Sequence, residues 1–155
     1  MKKWAITLIL AAIATITVWA VNYRKDDLAQ YVPQEQPVSE QNHKQLEPVR
    51  KALIRMCCNS EWEKLEKCFS LSKTDRLFAK QENGEDPVEK YLGLLKSYAP
   101  QMRNAKWEMT ELVKNPNSIF FRFQGENGKK LCVNLTKRKG KYLFHSVAEI
   151  EAKKK

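Results

Sequence analysis

The sequence predicts an α+β fold in which N-terminal helices pack on a curved antiparallel meander of four strands. Residues 105–150 fall into four runs in which apolar and polar side chains alternate, and turn residues separate the runs. Residues 47–99 instead repeat their apolar side chains at helical spacing. A period of two is typical of strands with one buried face, and a period of 3.6 is typical of amphipathic helices. The helices are therefore expected to cover one face of the sheet.

Length and composition fit one small domain behind an N-terminal extension. The part that carries the periodic patterns is about 110 residues long, near the commonest domain size. The segment before it is rich in Gln and Pro and has no apolar period, as expected of a linker. The predicted divisions are a signal-anchor or signal peptide at 1–23, a polar linker at 24–45, a single α+β domain at 46–150 and a basic tail at 151–155.

The N-terminal segment predicts contact with a membrane. Residues 4–23 contain no charged side chain and follow Lys2 and Lys3. As a helix this run would extend roughly 30 Å, the thickness of a bilayer core. An uncleaved anchor is favoured over a signal cleaved near Ala20, because the apolar core of a signal is only about 7 to 15 residues long. The predicted location is the inner (cytoplasmic) membrane, single-pass, with the domain on the extracytoplasmic side; the alternative is a secreted or periplasmic protein.

Capping patterns and prolines predict the boundaries of four helices. Their predicted starts are Glu47-Pro48, Ser60-x-x-Glu63, Ser72-x-x-Asp75 and Asp86-Pro87. The first, third and fourth are expected to end near Asn59, at Asn83-Gly84 and before Pro100. The second and fourth helices are expected to bury Trp62, Leu65, Phe69, Val88, Tyr91, Leu92, Leu95 and Tyr98.

The register of the hairpins follows from parity, because a slip of one residue turns every side chain to the other face. A three-residue loop at 126–128 predicts a left-handed Gly128 in a bulged turn. It pairs Phe121 with Val133 and Phe123 with Leu131. A two-residue loop at Lys139-Gly140 pairs Leu135 with Phe144 without a bulge. The predicted inward face is Trp107, Phe121, Phe123, Leu131, Val133, Leu135 and Phe144.

The net charge of +10 raises the question of an anionic partner. Basic surfaces can bind nucleic acid, anionic lipid or acidic proteins. The densest cluster inside the domain is a predicted hairpin tip made of Lys137, Arg138, Lys139 and Lys141. The turns of a meander alternate between the two ends of the sheet, so Lys129-Lys130 is expected at the other end. Because the charge is divided and the predicted outer face offers few stacking aromatics, nucleic acid is not expected as a partner.

No residue pattern predicts catalysis, a metal site or a cofactor. By parity His145 is expected on the outer face together with Cys132, Leu143 and Val147, and no nucleophile elbow accompanies it. The acids that could act in proton transfer all lie at predicted helix starts, where they stabilise the helix dipole. The chain is therefore predicted not to be an enzyme. A disulfide from Cys57 or Cys58 to Cys68 fits a helical hairpin in an oxidising compartment, with Cys58 and Cys68 as the candidate pair.

Two local patterns resemble a known superfamily. Residues 58–64, Cys-Asn-Ser-Glu-Trp-Glu-Lys, are similar to the turn after the first helix of cystatin-like or nuclear-transport-factor-like domains. Residues 139–147 are similar to their closing strand. The resemblance implies a curved sheet wrapped on a long helix, and an interior cone that Tyr91, Tyr98, Trp107 and Phe121 could line. Small membrane-anchored or secreted bacterial proteins are common in this superfamily. Its enzymes use an acid, a tyrosine or a histidine inside the cone, and none of those residues can be carried over.

Three functions are compatible with these features. The first is a membrane-tethered extracytoplasmic binding or assembly domain without catalytic activity, whose partner is another protein at the membrane. The second is a small-molecule-binding or isomerase-like cone, which requires a hollow interior with a convergent acid. The third is a basic module that binds anionic lipid or nucleic acid. The order given is the order in which the sequence favours them, and no oligomeric state is predicted.

Overall fold

The computed structural model describes residues 33–151 and shows an α+β architecture with four helices and five strands. The helices lie together in the chain between the first strand and the second. The elements are β1 (Glu35–Pro37), α1 (Glu40–Cys58), α2 (Trp62–Glu66), α3 (Lys73–Asn83), α4 (Pro87–Met102), β2 (Glu108–Leu112), β3 (Asn115–Gln124), β4 (Lys129–Arg138) and β5 (Lys141–Glu151).

The sheet has five antiparallel strands in the order β1-β2-β3-β4-β5. Strands β2 to β5 form the predicted meander, so the prediction of helices followed by an antiparallel sheet is confirmed. The predicted number of four strands is wrong, because β1 pairs with β2 from within the segment expected to be a linker. No apolar alternation marks β1. Polar contacts hold it, since Arg122 Nη2 donates to Glu35 Oε1 at 2.7 Å and Gln36 Nε2 donates to Glu111 Oε1 at 3.1 Å.

Helix α1 begins seven residues before its predicted start at Glu47. Ser39 caps it by accepting a hydrogen bond from the backbone N–H of Asn42 at 3.3 Å. Leu46 lies in the added turns and is fully buried, which gives them an anchor in the core. Pro48 therefore lies inside the helix and not at its first position. Residues 40–45 of the predicted linker are thus helical.

The other predicted helix boundaries have mixed outcomes. The capping box at Ser72 and Asp75 is confirmed, with both of its hydrogen bonds formed. The box predicted at Ser60 and Glu63 is wrong, because Ser60 has a left-handed φ of 57° and α2 begins at Trp62. Helix α4 continues past Pro100 to Met102. Met102 is fully buried and its carbonyl accepts from Trp107 Nε1 at 3.1 Å, so the last turn is retained in spite of the missing proline N–H.

Both predicted hairpin loops are confirmed. Strand β3 pairs Phe121 with Val133 and Phe123 with Leu131 of β4. Gly128 has a φ of 77° in the three-residue loop, the left-handed conformation that glycine adopts without strain. The last hairpin pairs Leu135 with Phe144 across a loop whose two residues both have positive φ, Lys139 at 49° and Gly140 at 76°. These are the angles of the hairpin turn that matches strand twist.

Strand β5 contains a bulge that parity did not predict. Leu135 pairs with Phe144 and Asn134 with Ser146, so His145 is the extra residue. Beyond this point the alternation is inverted, and Val147 faces the core with 4% of its surface exposed. The prediction that Val147 shares the outer face with His145 is therefore wrong. His145 itself is exposed, as predicted.

The core lies between the inner face of the sheet and helices α1 and α4. The predicted inward face is confirmed, with Trp107 half-buried at its edge. The largest fully buried side chains are Phe121, Phe123, Leu46, Leu53, Leu65, Leu95, Met102, Ile119, Leu131, Leu135, Val88 and Val133. Burial of such side chains stabilises the fold by roughly 1.5–3 kcal/mol each.

Candidate functional site

Three of the four residues predicted to line an interior cone lie together. The ring of Trp107 packs 4.5 Å from Phe123 and 6.5 Å from Phe121, between centroids, and Tyr98 meets Phe123 edge-on at 5.7 Å. Tyr91 lies elsewhere, stacked on Phe69 at 5.7 Å. Tyr98 and Phe121 are at least 98% buried, and these rings fill the space between sheet and helices. Their contacts are those of core packing.

The hydroxyl of Tyr98 connects α4 to the end of the sheet. It donates to Glu149 Oε2 at 2.6 Å and accepts from Asn127 Nδ2 at 3.0 Å. Burial, followed by the hydrogen bond to Glu149, raises the pKa of Tyr98 above its usual value. The phenol therefore remains protonated as a donor. Lys129, at 2.8 Å from the other oxygen of Glu149, completes this contact.

All four cysteines are free thiols, so the disulfide predicted between Cys58 and Cys68 is not formed. Cys58 Sγ lies 3.8 Å from the carbonyl of Ala99, and Cys68 Sγ donates to the carbonyl of Lys64 at 3.3 Å. Burial raises the pKa of Cys57 to about 12. The two thiols of the predicted pair thus contact different carbonyl groups of the helical layer.

The predicted basic tip is the loop between β4 and β5. Lys137 is engaged in the fold, with its Nζ 3.1 Å from Gln45 Oε1 and 5.2 Å from the centroid of Tyr142. Arg138, Lys139 and Lys141 are exposed, and no carboxylate among residues 33–151 pairs with them. This leaves three cations at the tip. They are too few for an extended track along a polyanion.

The other end of the sheet carries the second basic pair, as predicted. Lys129 Nζ lies 2.8 Å from Glu149 and 3.8 Å from Glu151. Lys130 Nζ lies 3.4 Å from Glu108. Acidic side chains therefore offset the positive charge at this end.

His145 has one polar neighbour that sequence reasoning missed. Its Nδ1 lies 3.1 Å from Ser70 Oγ, because the segment after α2 bonds to β5 through Ser70 N and the carbonyl of Phe144 at 2.7 Å. A serine and a histidine act as nucleophile and base only with an orienting acid and oxyanion donors. No carboxylate of the described part of the chain bonds to this imidazole. The contact between Ser70 and His145 holds the segment after α2 against β5.

A buried carboxylate, Glu111, is another residue that the sequence did not single out. Only 4% of its surface is exposed, and it accepts from Gln36 Nε2 at 3.1 Å and from Asn42 Nδ2 at 2.9 Å. One side chain thus joins β1 and the first turn of α1 to β2. Alternation along β2 places Glu111 on the inner face of the sheet, and this could be read from the sequence. Its partners could not be predicted, because they lie in the segment predicted to be a linker.

Helix α3 carries the two most exposed large hydrophobic side chains of residues 33–151. None of its residues is buried, and Leu77 and Phe78 are 62% and 61% exposed. We call these two side chains the α3 patch. A helix with no buried face gains little stability from packing, so other contacts must hold it.

Arg76 supplies those contacts. Its Nε and Nη2 bond to Asp86 Oδ2 at 2.9 and 2.6 Å, and its Nη1 bonds to Glu66 Oε1 at 2.6 Å. The hydrogen bonds from Arg76 hold the pKa of Asp86 below its usual value, and those to Asp86 raise the pKa of the guanidinium. Asp86 also caps α4 by accepting from Val88 N at 2.9 Å. The three-residue ion cluster therefore fixes α3 against α2 and α4.

A groove of about 640 Å³ runs between β5 and the helices α3 and α4. Its floor is formed by residues 146–149 of β5, and its walls include Tyr91 and Leu94 of α4 and Ala79 of α3. Polar side chains lie at the rim. Grooves of this size accept a drug-sized molecule or a short peptide. The groove was not predicted, because its position depends on the β5 bulge and on the placement of α3.

A second cavity of about 480 Å³ lies where α1 and α4 end. It includes Cys58, Trp62, Lys96 and Arg103, and Lys96 Nζ lies 5.5 Å from the centroid of the Trp62 ring. Helix C-termini carry partial negative charge. The two cations complement that charge, which gives them a structural role.

No family model matches the chain, and neither a curated protein nor a solved structure matches it. The resemblance to cystatin-like or nuclear-transport-factor-like domains therefore stays a prediction. Within residues 33–151, no helix is long and apolar enough to cross a membrane, and no group of three or more metal-ligating side chains occurs. The predicted signal-anchor at residues 1–23 and residues 152–155 of the predicted basic tail lie outside the described residues, whereas Glu151 ends β5.

Proposed function

We propose that this chain is a membrane-tethered binding or assembly domain without catalytic activity, and that the α3 patch is the surface that contacts its protein partner. The observation that supports the proposal is a helix that contributes no buried residue and is nevertheless fixed in place. Leu77 and Phe78 project from this helix with more than half of each side chain in water.

The energetics of α3 favour a binding role. Exposed apolar area is unfavourable at roughly 25 cal/mol per Å², and covering two large side chains would return about 2–4 kcal/mol. The Arg76 cluster and the confirmed caps orient the patch before a partner arrives. Preorganisation of this kind lowers the entropy cost of association. Exposed aromatic and aliphatic anchors on a rigid element are typical of protein interfaces.

The membrane tether rests on the sequence. Residues 4–23 have the length and composition of a single spanning helix, and the described unit begins soon after them. A tethered domain meets its partner within the thin layer above the bilayer. The short N-terminal flank and the adjacent Asp26-Asp27 support the extracytoplasmic side, the usual orientation of such anchors.

Photo-crosslinking in intact cells tests the proposal. A photoreactive amino acid replaces Phe78 in the full-length chain, and a second variant carries it at the exposed Asn117, at the start of β3, as the control. We expect a discrete protein adduct from position 78 in the membrane fraction and none from position 117. A chain that fractionates with the cytosol, or equal labelling from both positions, would contradict the proposal.

A further inference from the structure

One edge of the sheet is open next to the groove. Strand β5 is the last strand in the order, and residues 68–70 bond to its outer edge only at Phe144, through Cys68 O at 2.9 Å and Ser70 N at 2.7 Å. From Ser146 to Glu151 no backbone group of the described chain bonds to that edge. A free edge presents N–H and C=O groups at the spacing of an extended strand.

The direction of these groups follows from the register. The carbonyl of Lys129 accepts from Gly125 N at 2.8 Å, so the backbone groups of Lys129 point toward β3. Antiparallel pairs alternate, so residues 131 and 133 point the same way. Their partners on β5 are Glu149 and Val147, which must then direct their N–H and C=O groups away from β4. Val147 and Glu149 therefore offer their backbone groups to the groove.

Strand addition also requires a surface that contacts the side chains of the added strand, and the groove provides one. Opposite the edge, Tyr91 and Leu94 of α4 and Ala79 of α3 form an apolar wall. An added strand would direct alternate side chains at this wall. Four residues of edge, from Ser146 to Glu149, extend about 13 Å at roughly 3.3 Å per residue.

We propose that the groove binds an extended peptide segment of the partner protein, which adds to the sheet as a sixth strand along β5. The segment carries apolar side chains at alternate positions, which contact Leu94 and Tyr91. The inference rests on the proposed function, since it names the kind of segment that the partner contributes. This mode of recognition uses main-chain hydrogen bonds for affinity and side-chain pockets for specificity.

Shape favours a peptide over a second copy of the chain. Helices α3 and α4 stand along the edge, so the groove has room for one segment, and the helices of a second copy would compete for the same space. The charges at the rim are balanced, since Glu85 lies there with Lys90 and Glu149 is paired with Lys129 at 2.8 Å. The groove therefore suits a segment through its apolar wall and its open backbone groups, and not through charge.

The test uses a linear peptide library displayed on phage and panned against the full-length protein in detergent. A selected peptide is synthesised and titrated by fluorescence anisotropy. N-methylation then removes one backbone N–H at a time. We expect alternate positions to lose about tenfold in affinity and the positions between them to be unaffected, since only every second N–H faces β5 and one lost bond costs roughly 1–1.5 kcal/mol.

Protein variants supply the second arm. Leu94→Glu places a charge in the apolar wall and should weaken the peptide by at least about tenfold. Lys96→Gln on the same helix changes the net charge by the same amount but lies at the other cavity, and it should have no effect. Circular dichroism confirms that both variants are folded.

The inference is overturned if panning selects no peptide or if N-methylation has the same effect at every position. It is also overturned if the Leu94→Glu variant binds the peptide as well as the native chain does. Hydrogen exchange on the peptide-free protein identifies the other occupants: protection of Val147 and Glu149 that fades on dilution shows a second copy, and protection independent of concentration shows a segment of the same chain. The proposed function is tested separately, because its failure would appear in the photo-crosslinking experiment as the absence of an adduct from position 78.

Discussion

Arg76 is the residue on which the position of α3 depends. It is 19% exposed at its side chain, and its guanidinium joins Glu66 at the end of α2 to Asp86 at the start of α4. Charged groups that are mostly withdrawn from water contribute when every partner is satisfied, and a missing partner leaves a costly charge. The cluster therefore stabilises the helical layer as a unit.

Substitution of Asp86 tests this cluster. Asp86→Asn retains a cap acceptor for Val88 N but loses the ion pair, and we expect it to lower the free energy of unfolding by about 1–2 kcal/mol. Asp86→Ala loses both and should cost about 2–3 kcal/mol. Urea denaturation measures the two values. An Asp86→Asn variant as stable as the native chain would show that the ion pair contributes nothing.

The same carboxylate predicts a pH dependence. Hydrogen bonds from Arg76 hold the pKa of Asp86 below its usual 3.8 in the folded state. A lowered folded pKa gives stability that is complete above the unfolded pKa and is lost as the pH falls through the folded value. The stability difference between the native chain and the Asp86→Asn variant should therefore be constant above about pH 5 and shrink below about pH 4. A difference that stays constant to pH 2 would contradict this.

Cys57 is predicted to be inert in the folded protein. It is 1% exposed and burial raises the pKa of its thiol to about 12, so little thiolate forms at neutral pH. A thiol reagent at pH 8, followed by peptide mapping, should modify Cys57 only after unfolding in guanidinium chloride. The half-buried Cys58 provides the internal comparison. Fast labelling of Cys57 in buffer would contradict its placement in the core.

At the scale of elements, polar contacts attach β1 and the start of α1 to the sheet. Glu111 accepts hydrogen bonds from Gln36 and Asn42, and Arg122 pairs with Glu35. In each of these contacts the donor and the acceptor lie on elements that are far apart in the sequence. The attachment of a three-residue strand therefore depends on a few side chains.

Glu111→Gln is expected to loosen β1. The amide replaces one acceptor oxygen by a donor, which then faces a donor of Gln36 or Asn42, at a cost of about 1–3 kcal/mol. Native-state hydrogen exchange at residues 35–42 should be faster in the Glu111→Gln variant than in the native chain, while exchange in β3 and β4 stays the same. Glu108→Gln, at an exposed position of the same strand, is the control and should leave exchange unchanged. Uniform protection in the Glu111→Gln variant would remove this explanation.

Helix α4 contains a glycine that its structure does not need. Gly93 is exposed, and a Cβ there would meet no atom within 4 Å. Gly93→Ala should raise the free energy of unfolding by about 0.5–1 kcal/mol, because alanine restricts the unfolded chain and favours the helix. Gly128→Ala is the contrasting variant: its φ of 77° should make it destabilising by about 1–2 kcal/mol. Thermal unfolding should show a higher melting temperature for Gly93→Ala and a lower one for Gly128→Ala than for the native chain.

At the scale of the whole molecule, the core and the surface that we assign to binding are separate. Leu77 and Phe78 are exposed on α3, whereas the buried set lies between the sheet, α1 and α4. A surface outside the core can change without loss of the fold. Binding and stability can thus be measured independently.

The double variant Leu77→Ser, Phe78→Ser tests that separation. We expect a free energy of unfolding within about 0.5 kcal/mol of the native value, since both side chains are largely in water already. Binding of the partner identified by crosslinking should be lost in a pull-down from solubilised membranes. Leu65→Ala, at a fully buried position of α2, is the contrasting variant and should cost about 2–5 kcal/mol. Unchanged pull-down by the double variant would exclude the α3 patch.

The sequence by itself determined the features that depend on neighbouring residues or on strict alternation. The capping box at Ser72 and Asp75, the left-handed Gly128 and the pairing of Phe121 with Val133 follow from local geometry and parity. Each is decided within a few residues or by the need to bury one face. The helical layer before the sheet was predictable for the same reason.

Only the tertiary structure decided the features that depend on distant partners. Strand β1 exists because Glu111 and Arg122, far along the chain, bond to it, and the last turn of α4 persists past Pro100 because Met102 is buried. The bulge at His145 turns Val147 inward and helps to shape the groove beside β5. At these points the free energy gained from burial and from satisfied hydrogen bonds outweighs the local helix or strand propensity, so long-range contacts decide the structure.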